Sequence, residues 1–330
     1  MGYMFGNAPD SRSNEGDDLL IDSSTYLGIE LELENIHALR PHSRLLKDNN
    51  WVWETDPSLR GESCELKTMS AENLPIRGKD VVTAVEALGM AVDHMKKVYK
   101  DAPTVGARTS THIHVDVRDM TTSQLSRFIL LYVMFEDLLL KSEAPNRKDN
   151  NYCLPISQSS DLKMHLVELL DSKFDSNVVH QMVMEWPKYS ALNVGVIQSF
   201  GTVEFRIFPG CYNPRQILMW INMLLSLRKA AVSQDIDIFQ IPQMVSGKGL
   251  KSFLDSVFPE DIVEHLLKTA EPRDILRGAR LIQGLITRSK SQRPVRPLYK
   301  PKTRKEELED LVEKEYSKSF QTFMKYVQGD

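Results

Sequence analysis

The first regular pattern of apolar and polar positions is a strict alternation over residues 28–34, which read Gly-Ile-Glu-Leu-Glu-Leu-Glu. A period of two residues predicts a β-strand with Glu30, Glu32 and Glu34 on one face and apolar side chains on the other. Carboxylates spaced about 7 Å apart along one face repel one another. Such a row is tolerated when water solvates it or when it binds cations. For this stretch alone, a solvated face is the commoner explanation.

Five further segments have the alternation or the composition of strands. The last of them predicts that Thr202, Glu204, Arg206 and Phe208 share one face. The last two segments are expected to form an antiparallel pair. The five segments cover residues 51–56, 62–69, 111–117, 189–194 and 201–208.

Longer segments, with apolar residues three or four positions apart, predict helices. The second of them is strongly apolar and is expected to pack on the back of the sheet. Several shorter helices are expected over residues 249–287. The longer predicted helices cover residues 78–99, 122–142, 161–171, 177–185 and 215–232.

Composition and charge describe an ordinary soluble protein, with 42% hydrophobic and 26% charged residues among 330. A formal net charge of −4 gives no reason to expect nucleic acid or an anionic membrane as a partner. The three cysteines are far apart and form no CxxC motif, so neither a disulfide framework nor a cysteine-rich zinc site is expected. No apolar run has the length of a membrane span and no secretion signal is present, which predicts a cytoplasmic protein.

Several predicted strands carry metal- or phosphate-competent groups on one face and apolar groups on the other. Each pair alone has an ordinary explanation, such as an exposed ion pair. Together they predict a sheet with helices behind it and a charged face in front, rich in carboxylates that suit Mg²⁺ or Mn²⁺. Arg206 would add a fixed cation beside the metals, as phosphoryl transfer requires. The groups are Glu30/Glu32/Glu34, Glu65/Lys67, His112/His114/Asp116 and Glu204/Arg206.

At this point the chain resembles a known family, the amidoligases. The resemblance rests on an ordered set of motifs: GIELELE, Asp-Pro-Ser at residues 56–58, CEL at 64–66, THIHVDV, YSALN and GTVEFRIF. Each motif alone is weak, whereas the ordered set is fairly specific. The resemblance implies an α+β fold like that of glutamine synthetase and γ-glutamylcysteine synthetase. Such a fold has a curved, mostly antiparallel sheet with helices on one face, here followed by a helical C-terminal region.

The resemblance also implies a reaction and a set of site residues. Members of this group of carboxylate–amine ligases use ATP and Mg²⁺ to form an acyl phosphate, which an amine then attacks. Two different Mg²⁺ ions would be bound, one by Glu32, Asp56 and Glu65 and the other by Glu30, His112 and Glu204. His114 would approach the nucleotide phosphates and Arg206 would stabilise the phosphoryl group, so these two are the predicted catalytic residues. Lys67 and Asn193 are predicted to contact the cofactor with them.

The sequence departs from the family pattern before the first histidine, where Ser110 and Thr111 replace the usual Cys-Gly. Glu34 and Asp116 are additional acids, so the exact ligand set stays open. The resemblance covers about residues 26–212. We expect a mobile tail over residues 1–22, a catalytic domain over 23–235, a helical extension over 236–288, a basic proline-containing linker over 289–305 and an amphipathic helix over 306–330.

Two other functions compete with the ligase. A metal-dependent hydrolase or oxygenase could use the His-x-His strand, although Val117 stands where a metallo-β-lactamase-type motif needs histidine and no glutamate follows as in a cupin. A non-catalytic binding protein could retain a degenerate ligase fold, although the set of acids is complete. The sequence names neither the carboxylate, which could be a small molecule or a peptide, nor the amine. It is compatible with a homo-oligomer without fixing the oligomeric state.

Overall fold

The computed structural model describes residues 20–21, 25–56, 58–69, 75–147, 150, 152–233 and 250–291. The predicted C-terminal helix, most of the predicted tail and most of the predicted linker lie outside these residues. None of the helices in the described part of the chain is both long and apolar enough to cross a membrane.

The described residues form an antiparallel sheet of seven strands. The strands are β1 Tyr26–Glu34, β2 Trp51–Glu54, β3 Ser63–Thr68, β4 Ile76–Arg77, β5 Ser110–Asp116, β6 Leu192–Asn193 and β7 Thr202–Pro209. The strand order is β2-β3-β1-β5-β7-β6, and β4 pairs with one end of β1. The alternating strand β1 lies inside the sheet. The predicted antiparallel sheet is confirmed, and so is the pairing of β6 with β7.

The helices agree closely with the apolar periodicity. A Thr121 capping box begins the helix Thr122–Glu143, and Asn213 caps the helix Pro214–Val232, in which Pro214 occupies the first turn. The α-helices are α1 Ser43–Asp48, α2 Gly78–Val98, α3 Thr122–Glu143, α4 Ser160–Asp171, α5 Ser176–Glu185, α6 Ile197–Phe200, α7 Pro214–Val232, α8 Leu250–Asp255, α9 Glu260–Leu267 and α10 Pro272–Ser291. Short 3-10 helices occupy His37–His42, Pro145–Arg147 and Ile156–Gln158.

The apolar face of the sheet packs on helices, as the alternation predicts. Leu27, Ile29, Leu31 and Leu33 of β1 are fully buried in the hydrophobic core. On β7, Phe205 contacts the rings of Phe128 and Tyr132 in α3. Because helices cover this face, the opposite face of the same strands is left for the polar side chains.

Phe208 does not share a face with Glu204 and Arg206, so that prediction is wrong. In the pairing of β5 with β7, Thr111 faces Phe208 and Ile113 faces Phe205, which leaves one additional residue on β7. This β-bulge reverses the alternation after Arg206. Phe208 then stacks on Trp220 of α7, with ring centroids 4.6 Å apart, and belongs to the hydrophobic core.

The last described helix is longer than predicted, because α10 continues to Ser291. The helix therefore includes residues 289–291, the first three of the predicted linker. The buried residues Ile275, Ala279, Ile282 and Ile286 follow one another three or four positions apart and extend the apolar stripe almost to the end of the helix. The basic residues near the end of α10 continue the helix. The sequence did not predict this, because the basic segment that they begin also contains three prolines.

Gly278 allows α10 to approach α3 very closely. A Cβ atom at this position would lie 1.9 Å from the carbonyl oxygen of Met134. We expect Gly278→Ala to lower the free energy of unfolding by about 2 kcal/mol or more, because neither helix backbone can yield without disturbing the core. Urea denaturation measures this change.

Gly284 provides the matched control in the same helix, since a Cβ there would meet nothing within 4 Å. Gly284→Ala should raise stability by about 0.5–1 kcal/mol through helix propensity alone. Equal effects of the two substitutions would contradict the close helix contact.

Candidate active site

Strand register brings nine polar side chains together in three rows across the open face. The first row joins Glu54, Glu65 and Glu32. The second joins Lys67, Glu30 and His112, and the third joins His114, Glu204 and Asn193. Along each strand, successive rows are two residues apart and therefore project to the same side. All of these side chains except Glu54 line one cleft of about 900 Å³, which Asp56 and Arg206 also line.

His112 lies at the centre of the cluster and is almost completely buried. Its Nδ1 atom is 3.3 Å from Glu30 Oε2 and 3.2 Å from Glu204 Oε1. Its Nε2 atom is 2.7 Å from the hydroxyl of Ser110, which donates a 2.5 Å hydrogen bond to Glu32 Oε2. A single imidazole thus connects three acidic residues on two strands.

Cationic groups surround Glu30, so the expected repulsion among the carboxylates is offset here. His114 Nε2 lies 3.5 Å from Glu30 Oε1, and Lys67 Nζ lies 3.9 Å from it. Burial by itself would raise the pKa of Glu30, but the hydrogen bonds and charges of His112 and His114 outweigh it and hold the pKa well below its usual range. Ionised Glu30 therefore stabilises the folded protein.

The pKa of Glu65 shifts in the opposite direction from that of Glu30. Burial raises the pKa of Glu65 to about 7, and the charge of Glu30 adds to the rise, although Lys67 opposes it. Lys67 Nζ is 2.8 Å from Glu65 Oε2 and 3.0 Å from Glu54 Oε2. Burial would lower the pKa of Lys67, but its bonds to Glu65 and the nearby charge of Glu30 raise it. Lys67 is thus a permanent cation among carboxylates, and a nucleotide contact for it stays a prediction.

Two groups of side chains in the described residues could hold a metal ion. They are Glu30, His114 and Glu204, and Glu30, Glu65 and His112, and within each group the ligand atoms lie within 4.8 Å of one another. Carboxylate oxygens dominate both groups, as Mg²⁺ or Mn²⁺ would require. The Nδ1 atom of His114 lies 3.0 Å from Thr202 Oγ1, whereas its Nε2 atom is buried and faces Glu30 Oε1 at 3.5 Å. Nε2 is therefore the ring nitrogen that points towards the acids. The residues present therefore fit divalent cations.

The grouping differs in part from the one that the resemblance implies. His112 and Glu204 do lie at Glu30, whereas Glu65 joins Glu30 and His112 in one candidate group. Asp56 lines the cleft, but its Oδ1 atom accepts a 2.8 Å hydrogen bond from the Ser58 amide. The assignment of ligands to two ions stays a prediction.

The two additional acids lie outside the residues that line the cleft. Glu34 accepts a 2.9 Å hydrogen bond from the Arg60 amide. Asp116 pairs with Arg118 through two hydrogen bonds of 2.8 and 3.0 Å. Each carboxylate thus has a local partner.

Glu204 and Arg206 form a buried pair, unlike the exposed ion pair that two neighbouring charges on a strand commonly make. Asn193 Nδ2 donates a 2.7 Å hydrogen bond to Glu204 Oε2, and the Gly195 amide holds the Asn193 oxygen at 3.0 Å. Burial would raise the pKa of Glu204, but the charges of His112 and Arg206 lower it. Asn193 therefore orients the Glu204 carboxylate, and a nucleotide contact for Asn193 stays a prediction.

Several residues that line the cleft were missed from the sequence, and Ser110 and Arg147 are two of them. Ser110 lies two residues before His112 on the same strand face, so the alternation could have identified it. Arg147 also lines the cleft but follows a helix, in a segment without periodicity, and nothing in the sequence marked it.

Comparison with known proteins is consistent with this geometry. No curated protein matches the chain. A protein-family model described as "putative amidoligase enzyme" matches residues 22–228, and this stretch contains every strand and every side chain that lines the cleft. Because the match covers more than half of the 330 residues, the chain belongs to this amidoligase family.

Proposed function

We propose that the protein is an ATP-dependent ligase that joins a carboxylate to an amine through an acyl phosphate. One observation carries the proposal: Glu30, His112, Glu204 and Arg206 meet in a single cleft, with hydrogen-bonding distances between the acids and the imidazole. A carboxylate resists attack by an amine until its oxygen becomes a good leaving group. Phosphorylation supplies that group but brings two anions together, and this cluster is suited to neutralising them.

The proposed roles are those that the family resemblance implies. Glu30, His112 and Glu204 would hold one Mg²⁺ ion, and Glu32, Asp56 and Glu65 would complete a second site. When bound, these ions supply positive charge to the phosphate oxygens. Arg206 would contact the phosphoryl group during transfer. His114 and Lys67 would approach the phosphates, and Asn193 would keep Glu204 oriented.

The glutamine synthetase-like fold is part of the proposal. The antiparallel sheet with α2, α3 and α7 against its apolar face supports it. All of the proposed acids except Asp56 lie on strands, which holds them in fixed geometry for such chemistry.

The metal-dependent hydrolase has less support. His112 and His114 fall in different candidate metal groups among the described residues. A cupin or metallo-β-lactamase-type site needs the two histidines of such a motif to converge on one ion. The buried Arg206 beside Glu204 also has no role in activating water.

Hydroxylamine offers a direct test, because it traps an acyl phosphate as a hydroxamate. With ATP, Mg²⁺ and a panel of carboxylic acids, we expect one class of acid to yield a hydroxamate with an equal amount of ADP. Glu204→Gln should abolish both products while the protein remains folded. Release of AMP and pyrophosphate would indicate an adenylate, and product formation without ATP would exclude the ligase.

A further inference from the structure

The exposed face of α10 carries a row of arginines, here called the arginine stripe, and α10 contributes no residue to the cleft. At 3.6 residues per turn, the spacing of these arginines places them within an arc of about 80° and over a length of about 22 Å. The apolar residues of the helix lie on its opposite face and belong to the hydrophobic core. The members of the stripe are the exposed residues Arg273, Arg277, Arg280 and Arg288.

The charge of the arginine stripe is only partly neutralised within the described part of the chain. Arg273 pairs with Glu271. Arg277 and Arg280 have no carboxylate within 4.0 Å among the described residues. Asp274 is the one acidic residue in the sequence of α10, but it is buried and pairs with Lys141 of α3 at 2.9 Å. The middle of the stripe therefore presents uncompensated positive charge to solvent.

The basic character continues along the sequence beyond the helix. Residues 275–305 contain ten basic residues and no acidic one. All 45 acidic residues lie elsewhere in the chain, so the formal net charge of −4 is an average over unlike regions. A local excess of one sign attracts a partner of the opposite sign even when the whole protein is slightly acidic.

Gly284 lies in the middle of the arginine stripe, between Arg280 and Arg288. A Cβ atom at this position would meet nothing within 4 Å, so no contact inside the described protein requires a glycine here. Glycine weakens the interior of a helix relative to alanine. Its presence allows the backbone of a partner to approach the helix closely between the flanking guanidinium groups.

We propose that the arginine stripe binds the phosphate backbone of a nucleic acid, without regard to base sequence. Each guanidinium group can form two parallel hydrogen bonds with one phosphate, and binding gains free energy because the phosphates release their counterions. A straight stripe of about 22 Å covers about six base-pair steps of a duplex. The inference concerns a surface separate from the cleft and does not depend on the ligase activity.

An anionic membrane fits this surface less well. An amphipathic helix that lies on a bilayer buries its apolar face among the lipids. The apolar face of α10 is instead occupied by the protein core, and none of the exposed large hydrophobic residues in the described chain lies on this helix. The stripe thus offers charge without an apolar anchor.

Fluorescence anisotropy tests the proposal with the full-length protein and a labelled DNA duplex of about 20 base pairs, which is longer than the stripe. We expect binding whose affinity falls steeply as the salt concentration rises. Arg277→Gln/Arg280→Gln should weaken this binding by about tenfold or more. It should also lower the slope of log affinity against log salt by about two, one for each lost phosphate contact.

Two further variants separate the stripe from general charge attraction. Lys79→Gln/Lys97→Gln removes the same charge from the exposed side of α2 and should leave binding almost unchanged. Gly284→Glu places a carboxylate inside the stripe without removing any arginine, and it should also weaken binding. All of these positions are exposed, so the fold is expected to persist, and melting temperatures check this.

Several outcomes would overturn the proposal. The wild type could fail to bind the duplex at low salt, or the arginine and lysine double variants could lose the same affinity. Binding to phosphatidylserine vesicles but not to the duplex would assign the stripe to a membrane. If polyglutamate displaced the labelled duplex as effectively as unlabelled duplex at equal charge, carboxylates would suffice and the partner would be an acidic protein.

Discussion

Arg206→Lys is expected to lower turnover by about two orders of magnitude or more, the scale of losing one electrostatic stabiliser of a transition state. The Arg206 guanidinium is buried and reaches both Glu204 and the Tyr152 carbonyl. A planar fork can keep these contacts and bridge two phosphoryl oxygens, whereas an ammonium group cannot. Because the effect belongs to the transition state, the affinity for ATP should change much less. Steady-state kinetics and direct ATP titration separate the two quantities.

Arg118→Lys is the matched control. Arg118 also pairs with an acid two residues away, Asp116, but the pair lies outside the residues that line the cleft. This substitution should leave turnover nearly unchanged. If Arg206→Lys is equally harmless, Arg206 is only a structural partner of Glu204 and the phosphoryl contact is wrong.

Glu30→Gln and Glu65→Gln are expected to change the stability of the metal-free protein in opposite directions. Glu30 has a pKa lowered by His112 and His114, so its ionised form stabilises the fold above the unfolded pKa and Glu30→Gln should lower the melting temperature. Glu65 has a pKa of about 7 in the folded state, against 4.5 for the free group. Its ionisation therefore costs stability as the pH rises between these values, and Glu65→Gln should raise the melting temperature at about pH 8 but not at about pH 5.

Added Mg²⁺ and ATP should distinguish both variants from the wild type. At a hundredfold excess over the dissociation constant, ligand adds about 2.7 kcal/mol to the stability of the wild type. Both variants should lose most of this gain, because each lacks one acid of a candidate metal group. Thermal melts with a chelator, and with Mg²⁺ plus ATP, measure both effects. Equal ligand-induced shifts in all three proteins would contradict the metal sites.

The alternation of residues predicted most of this site because a strand fixes which side chains share a face. It correctly placed Glu30, His112 and Glu204 on one surface, since each lies on a regular strand. It failed at Phe208, because a β-bulge depends on how two distant strands align and leaves no local mark in the sequence.

Features that depend on three-dimensional neighbours were also beyond the sequence. The pattern predicted repulsion between the carboxylates of β1, but Glu30 is held by His112 and His114, which lie more than 80 residues away along the chain. Arg147 ends a short 3-10 helix and donates to the carbonyls of Thr109, just before β5, and of Arg206, on β7. Only the folded chain reveals this position. The periodicity of a strand shows which of its residues share a face. Which side chains from other strands contact them, and with what charge, depends on how the sheet assembles.

Lys67 contacts Glu54 and Glu65 and places a positive charge among the acids of the cleft, as a bound metal ion would. Its ammonium group neutralises the acids before any divalent ion arrives, so the strands need not separate to relieve repulsion. In the proposed reaction, an incoming metal ion would compete with the Lys67 ammonium group for these carboxylates. Such an exchange would weaken the net affinity for the ion. A lysine in this position would favour rapid cycling over permanent retention of the metal.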